Sequence, residues 1–212
     1  ISVLYPNSRV DFFSRNGKEL NNFQHIQKEL SECIKKKPIE KAIVLDGEVV
    51  SKNFQELMKQ IHRKNSTQNY DATLFLFDIL PFDSFKSGIE KKTYSNRIKL
   101  LESWFEDNVK NSRTIKLVDK KFINLDNEDG QQIFKEFNNQ AIIEGYEGIM
   151  IKDPDSFYEC KRSTTWLKLK PVIEISLTVT SYEEGSGRNI GKLGAIIAEG
   201  EDNGKSFKLN IG

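Results

Sequence analysis

Residues 42–50, AIVLDGEVV, are an apolar stretch interrupted by two carboxylates and a glycine, and our prediction of the fold starts from them. Their β-branched residues predict a strand, and the apolar and aromatic residues 74–80 predict a second, buried strand. Asp46-Gly47-Glu48 inside the first strand can be a β-bulge or turn with incidental acids. A carboxylate in a strand interior needs a partner, however, so a functional interpretation is equally open.

Helix and strand patterns alternate over most of the chain, which predicts a mixed α+β class with an antiparallel sheet flanked by helices. Apolar residues at helical spacing predict four helices, at residues 23–34, 54–61, 93–105 and 133–137. Further strands are predicted at residues 1–5, 9–14, 115–118, 148–152 and 166–170.

The pattern changes after Pro171, where only strands are predicted. We therefore expect a domain boundary there, with one domain at residues 1–171 and an all-β domain at residues 172–212. The strands of the second domain are predicted at residues 173–182, 193–199 and 206–211, with a glycine-rich turn at 184–191 and the turn Asp202-Asn203-Gly204 joining the last two strands.

Composition narrows the class of protein only slightly. The net charge of +1 excludes a polycationic surface, so any binding of nucleic acid must take place in a local groove. Two isolated cysteines, Cys33 and Cys160, suggest reduced thiols in a cytosol-like compartment. No apolar run is long enough to cross a membrane and no targeting segment is found. His25 and His62 lack partners at metal spacing, so we interpret both as surface residues.

Residues 166–170, WLKLK, place Trp166, Lys168 and Lys170 on one face of a predicted strand. Two neighbouring ammonium groups repel each other unless an anion lies between them, and phosphate is the natural anion. A solvated edge strand protected by lysines is an equally good explanation of this stretch alone.

Two further stretches could carry chemistry. In Glu147–Lys152, Gly148 would let a ligand approach the backbone between two charged residues, although an ordinary strand with charged ends is the better explanation of the stretch taken alone. Phe77, followed by Asp78, could stack on a nucleobase or fill the core.

Taken together and in this order, these stretches resemble the nucleotidyltransferase motifs of ATP-dependent DNA ligases, with the compact phage enzymes nearest in size. The resemblance covers nearly the whole chain. It implies an antiparallel-sheet nucleotidyltransferase core of the ATP-grasp-like ligase type, followed by an OB-fold domain. The matching segments are Ser14-Arg15-Asn16-Gly17, Asp46-Gly47-Glu48, Phe75-Leu76-Phe77-Asp78, Tyr94-x-x-Arg97-x-x-x-Leu101, Glu147–Lys152, Lys161-Arg162-Ser163, Trp166–Lys170 and Glu183-Glu184-Gly185-x-Gly187 with Leu193-Gly194.

The resemblance also implies a reaction and roles for individual residues. A lysine takes AMP from ATP, the AMP moves to the 5′-phosphate of a nick in duplex DNA, and the 3′-hydroxyl then displaces it. The implied catalytic residues are Lys168, Lys170 and Glu147. The implied ATP-binding residues are Glu48, Phe77, Lys152, Lys168 and Lys170. Glu147 and Glu48 are the implied Mg²⁺ ligands, and Arg15, Lys161, Arg162, Arg188 and Lys192 the implied DNA contacts.

One departure from the family pattern matters. The nucleophilic lysine of the K-x-D-G motif is absent, since no glycine here has a lysine three residues before it. Because the sequence opens on Ile1 inside a predicted strand, we expect a fragment whose two domains are incomplete at their N- and C-terminal ends respectively. Such a chain should not adenylylate itself.

Three alternatives stay open at this stage: an RNA ligase, a capping guanylyltransferase of the same superfamily, and a non-catalytic nick-binding module. We expect a monomer that works on nicked DNA with ATP and Mg²⁺, in the cytoplasm or in a nucleoid or viral setting.

Overall fold

The computed structural model describes residues 1–51, 68–171 and 174–212, which divide into two compact units, Ile1–Leu169 and Lys170–Gly212. The helix predicted at residues 54–61 lies outside the described residues. The assignment of the units as an incomplete adenylation domain and an incomplete OB-fold domain stays a prediction.

Nine strands and four α-helices make up the described part of the first unit. The strands are β1 Ser2–Leu4, β2 Val10–Phe12, β3 Ile43–Val50, β4 Thr73–Pro81, β5 Ile89–Glu90, β6 Ile115–Leu117, β7 Ile149–Lys152, β8 Tyr158–Glu159 and β9 Trp166–Leu169. The helices are α1 Gln24–Lys36, α2 Phe82–Ser87, α3 Tyr94–Asn108 and α4 Glu128–Ile143.

The main sheet has five strands in the order β2-β1-β3-β4-β6. All neighbours are antiparallel except β4 and β6, which run parallel. A parallel pair needs a long crossover connection, and the segment with α2 and α3 supplies it. The predicted antiparallel α+β core is therefore confirmed, with one parallel pair added at its edge.

Helices α1 and α3 cover one face of this sheet. Ile26, Leu30 and Ile34 recur at helical spacing in α1, and all three side chains are buried. They pack in one cluster with Ile98 and Leu101 of α3 and with apolar side chains of the sheet. Burying each of these side chains stabilises the fold by about 1.5–3 kcal/mol, which fixes the helices on that face.

A β-bulge between β3 and β4 shapes the opposite face of the sheet. Asp46 pairs with Asp78, but the next residue, Gly47, pairs with Leu76, so Phe77 is an extra residue in β4. A bulge interrupts the regular alternation of side chains, and Phe77 and Asp78 consequently both contact side chains of the site described below. Gly47 is required here because a Cβ atom would lie 2.7 Å from the carbonyl oxygen of Phe75.

The second unit is a three-stranded antiparallel sheet in the order β10-β11-β12. The hairpin between β11 and β12 turns at Asn203 and Gly204, whose φ angles of 50° and 73° fit the tight turn predicted there. Two details differ from the prediction: β10 begins at Thr178 rather than near residue 173, and the glycine-rich turn contains a short 3₁₀ helix. The elements are β10 Thr178–Glu184, the 3₁₀ helix Gly187–Asn189, β11 Leu193–Asp202 and β12 Lys205–Ile211.

In the ranges that the structure describes, we find no helix with the length and apolar composition needed to cross a membrane.

Candidate functional site

Strands β7 and β9 form a two-stranded antiparallel sheet, called the hairpin below, although β8 lies between them in the chain. This hairpin brings two of the sequence motifs together. Its antiparallel register places Lys152 directly opposite Trp166, and Met150 opposite Lys168. Because side chains alternate along both strands, these four residues share one face of the hairpin. Trp166 packs its ring edge against Phe77 of β4, with 5.6 Å between the ring centroids, so the hairpin lies next to the bulged residue.

A buried ion pair lies beneath this contact. Arg97 of α3 donates from Nε to Oδ1 of Asp78 (2.8 Å) and from Nη2 to Oδ2 (3.0 Å). Both side chains are almost completely buried, and Arg97 also donates to the carbonyl oxygens of Lys92 and Ser156. This bidentate geometry is the strong form of an arginine–carboxylate contact. Through these hydrogen bonds, Arg97 connects β4 and α3 with the loop before β8.

A second carboxylate, that of the partly buried Asp46, has a neutral partner. The hydroxyl group of Tyr158 donates to Oδ2 of Asp46 over 2.7 Å. Burial raises the pKa of Asp46, while the hydrogen bond from Tyr158 acts in the opposite direction. Burial likewise raises the pKa of Tyr158, so its hydroxyl group stays a donor at neutral pH. Its ring also contacts Trp166, so Tyr158 links the carboxylate strand to the hairpin.

Replacing Tyr158 with phenylalanine is expected to destabilise the fold by about 1–3 kcal/mol, because the partly buried carboxylate of Asp46 loses its donor. The ring contacts are retained in this variant, so the loss reports the hydrogen bond alone. Denaturant unfolding would measure it. Tyr146→Phe is the matched control, since Tyr146 is half exposed and its hydroxyl group should contribute little. Equal stabilities of both variants would contradict the assigned role of the hydrogen bond.

Lys152 lies inside a cage of three aromatic rings. Its Nζ atom is 3.6 Å from the ring centroid of Trp166, 4.4 Å from that of Tyr94 and 4.7 Å from that of Phe77. This atom is shielded from solvent and has no hydrogen-bond partner, and the same is true of Nε1 of Trp166. Burial lowers the pKa of Lys152 to about 8, and the nearby carboxylates of Asp78 and Asp46 oppose that shift.

An exposed ion pair lies further along the same hairpin. Nζ of Lys168 is 3.0 Å from Oε2 of Glu147, and the two side chains are 48% and 65% exposed. A pair this exposed contributes little stability and is easily exchanged for other partners. Gly148, which follows Glu147, has a φ of 130° that favours glycine and lets the chain turn into β7.

The remaining predicted site residues are all exposed. Glu48 lies on β3 beyond the bulge, and Arg15 lies in the turn between β2 and α1. Lys161 pairs with Glu159 at 2.9 Å, and its neighbour Arg162 follows β8. In the second unit, Lys170 is the first residue, and Arg188 and Lys192 lie in or near the 3₁₀ turn.

The structure bears on the expected metal ligands and on the two histidines. Among the described residues, no group of three His, Cys, Asp or Glu side chains could hold a metal ion by itself. The prediction that His25 is a surface residue is wrong, because it is half buried, with Nε2 3.1 Å from the carbonyl oxygen of Ala72 and its ring against Tyr70. His62 lies outside the described residues.

Sequence reasoning assigned no role to Tyr158 and placed Asp78 and Arg97 in motifs without naming their contact. A charged residue at the end of an apolar strand was a usable signal, because a buried carboxylate requires a partner. The sequence held no comparable signal that Tyr158 would be the donor to Asp46, since 112 positions separate the two residues.

Known DNA ligases resemble this chain in sequence. The family model for the "ATP dependent DNA ligase domain" matches residues 2–170. DNA ligase 2 of Methanosarcina acetivorans is 33% identical over 96% of this chain and 36% of its own length. DNA ligase 2 of Methanosarcina mazei is 30% identical over 100% of this chain and 38% of its own length. The chain thus spans little more than a third of these curated relatives.

Solved structures give the same result. The structure named "Pmar-Lig_PreS3" is 45% identical, with a TM-score of 0.90 over 99% of this chain and 48% of that one. The bacteriophage T7 ATP-dependent DNA ligase, in complex with ATP, has a TM-score of 0.62 over 99% of this chain and 70% of its own, and at 17% identity it supports the fold alone.

The fold and the family model together define the class of this chain, which is an ATP-dependent ligase domain. The chain belongs to the ATP-dependent DNA ligase family, as its motifs indicated.

Proposed function

We propose that this chain forms the adenylate-handling site of an enzyme that seals nicks in duplex DNA through enzyme-adenylate and DNA-adenylate intermediates. The observation that carries the proposal is the arrangement along one hairpin face. Two shielded donors, Nζ of Lys152 and Nε1 of Trp166, lie beside the ring of Phe77, and Lys168 lies further along. An aromatic ring next to several donors suits a ligand with a flat base and an anionic group.

The aromatic part of the site would bind the base. Phe77 is only partly buried, although the neighbouring Leu76 and Asp78 are fully buried, so part of its ring is accessible. We propose that adenine stacks on Phe77 and that Glu48, exposed on the adjacent strand, contacts the ribose.

The cationic part would bind the phosphate. Lys168 is proposed to hold the AMP phosphate and to offset the charge that develops during transfer, a task that Lys170 would share. Glu147 is the proposed Mg²⁺ ligand, with Glu48 as a second candidate. Mg²⁺ is commonly held by one or two carboxylates together with substrate phosphates, so this small donor set fits the ion. When bound, the ion would neutralise phosphate charge. Phosphate and cation together would replace both halves of the Lys168–Glu147 pair.

The sealing step uses this site and no lysine nucleophile. The 3′-hydroxyl oxygen forms a bond to the 5′-phosphorus and its proton passes to water, while the bond from that phosphorus to the AMP oxygen breaks and AMP leaves with its charge held by the lysines. The first step, by contrast, needs a nucleophilic lysine in a K-x-D-G motif, which residues 1–212 do not contain.

Exposed cations are proposed to contact the DNA backbone. Phosphate contacts position a protein on the duplex without reading its sequence, which suits an enzyme that acts on any nick. We further propose that the protein works as a monomer. We also propose that it works in a reducing compartment, whether cytoplasmic, nucleoid or viral, because Cys33 and Cys160 are both free thiols. The proposed DNA contacts are Arg15, Lys161, Arg162, Arg188 and Lys192.

The test is sealing of a pre-adenylylated nick by this chain with Mg²⁺ and without ATP. We expect a sealed strand and released AMP. A parallel substrate with an RNA strand at the nick separates DNA ligase from RNA ligase activity. Binding of the nick without sealing would support a non-catalytic module, and labelling of a longer form by GTP rather than ATP would indicate a capping enzyme. Either result would overturn the proposal.

Replacing Phe77 with alanine is expected to weaken AMP binding by about 1–3 kcal/mol, the range found for stacking of one base on an aromatic ring. Phe77→Tyr retains the ring and should bind AMP nearly as well as the original protein. Isothermal titration of both variants with AMP measures the difference. Equal losses in both would assign Phe77 a packing role only.

A further inference from the structure

The ammonium group of Lys152 is buried without a hydrogen-bond partner. An ammonium group has three donors and is strongly hydrated in water. Here its Nζ atom is shielded from solvent, has no hydrogen-bond acceptor, and lies against the aromatic faces of Trp166, Tyr94 and Phe77, with the carboxylates of Asp78 and Asp46 nearby. Attraction to the faces of the rings offsets part of the lost hydration. The donors nevertheless stay unsatisfied, and an anion that reached them would bind strongly.

The same atom competes with a base for the ring of Phe77. Stacked aromatic rings place their centroids about 4.5–7 Å apart. Nζ of Lys152 lies over the ring of Phe77 at 4.7 Å from its centroid, within the space that a stacked base would fill. The ring contacts of Trp166 and Tyr94 hold the ammonium group in that space. A base can therefore stack on this face only after the lysine has moved.

We propose that Lys152 is a specificity-determining gate, which occupies the base-stacking face in the free protein and leaves it only for a ligand that offers an anionic phosphate. This inference rests on the proposed function, because it takes adenine stacking on Phe77 as given. It adds that the pocket rejects the unphosphorylated nucleoside.

The selectivity follows from what each ligand gives to the displaced ammonium group. Adenosine removes it from three aromatic faces and supplies no anion, so only water can replace those contacts. AMP supplies phosphate oxygens, and charge-assisted hydrogen bonds to them replace the contacts with the rings. Lys168 can also favour AMP, but its side chain lies on the exposed part of the hairpin and pairs with Glu147, so it does not obstruct the base.

The experiment compares AMP and adenosine binding to this chain by isothermal titration, in the original protein and in Lys152→Ala. We expect the variant to bind AMP about tenfold more weakly and adenosine about tenfold more tightly, a factor in line with one desolvated cation–aromatic contact. The opposite directions of the two changes are the diagnostic result. A residue that only holds phosphate would leave adenosine affinity unchanged, and a residue that only supports the fold would weaken both ligands. Either pattern overturns the gate.

Lys168→Ala is the matched control. It removes a cation from the same face of the same hairpin without opening the aromatic cage. It should weaken AMP binding and leave adenosine binding as it was. Tighter adenosine binding in this control would also overturn the proposal, since the effect would then come from net charge.

Failure of the gate and failure of the proposed function give different results. If neither the original protein nor Lys152→Ala binds AMP or adenosine, the proposed assignment of the adenine site is wrong. If the original protein binds AMP and adenosine equally well, the site stands and the gate does not. If Lys152→Ala does not fold by circular dichroism, Lys152→Gln, which keeps most of the side-chain length and removes the charge, is interpreted in the same way.

Discussion

Sealing of a pre-adenylylated nick is expected to fall about 10²–10³-fold when Lys168 is replaced with alanine, the range found when one preorganised donor to developing charge is removed. The ammonium group of Lys168 lies on the face of the hairpin that also carries Lys152 and Trp166. In the proposed mechanism it faces the phosphate oxygens whose charge increases as the bond to AMP breaks. Single-turnover sealing assays measure this step directly, without the earlier adenylylation of the enzyme.

The loss should be catalytic and not structural. Lys168 is half exposed and its ion pair with Glu147 is open to solvent, so its removal should change the free energy of unfolding by less than about 0.5 kcal/mol. Lys86→Ala is the matched control, because Lys86 is also exposed and pairs with a carboxylate, that of Asp83, at 2.9 Å. It should retain most of the single-turnover rate. Wild-type rates in Lys168→Ala would show that the phosphate is held elsewhere.

Replacing Asp78 with asparagine is expected to destabilise the protein by about 3–5 kcal/mol, which is the usual effect of removing one partner from a buried ion pair. The guanidinium group of Arg97 would remain buried with no carboxylate to balance it, since Asp78 is fully buried and accepts two hydrogen bonds from Arg97. Urea unfolding monitored by circular dichroism would measure the change. A loss of this size is a large part of the stability of most domains.

A double-mutant cycle makes this prediction specific. Asp78→Asn combined with Arg97→Met should lose much less than the sum of the two single losses, because no uncompensated charge then remains in the interior. Asp107→Asn is the control, since Asp107 pairs with Lys37 in an exposed ion pair and should change stability by less than about 1 kcal/mol. Additive losses in the cycle would mean that Asp78 and Arg97 stabilise the fold independently.

Much of the fold could be predicted because its signals are local. The spacing of Ile26, Leu30 and Ile34 defined α1, and the Asn203-Gly204 pair defined the last hairpin. The alternation of residues 166–170 also placed Trp166 and Lys168 on one face, as the ladder with β7 shows. In each case the deciding interaction lies within a few residues of the pattern, so no knowledge of the tertiary fold was needed.

The parts that escaped prediction depend on contacts between distant segments. Period-2 alternation would separate Phe77 from Asp78, but the bulge opposite Asp46 and Gly47 lets both residues reach the site. No local pattern indicates where a strand gains one extra residue relative to its partner. His25 was misjudged for a similar reason, since its burial depends on Ala72 and Tyr70, nearly fifty residues further along the chain.

The long-range hydrogen bond to Asp46 has a consequence for the order of events on the ribosome. A growing chain could pair β3 with β4 and bury the Asp78–Arg97 contact once α3 has emerged, since those partners are close in sequence. Asp46 must wait for Tyr158, and the aromatic cage must wait for Trp166. Contacts of such wide sequence separation form late and slowly. Nascent chains that stop before β8 would therefore hold a sheet with an unsatisfied carboxylate, which makes them natural targets for chaperones and proteases.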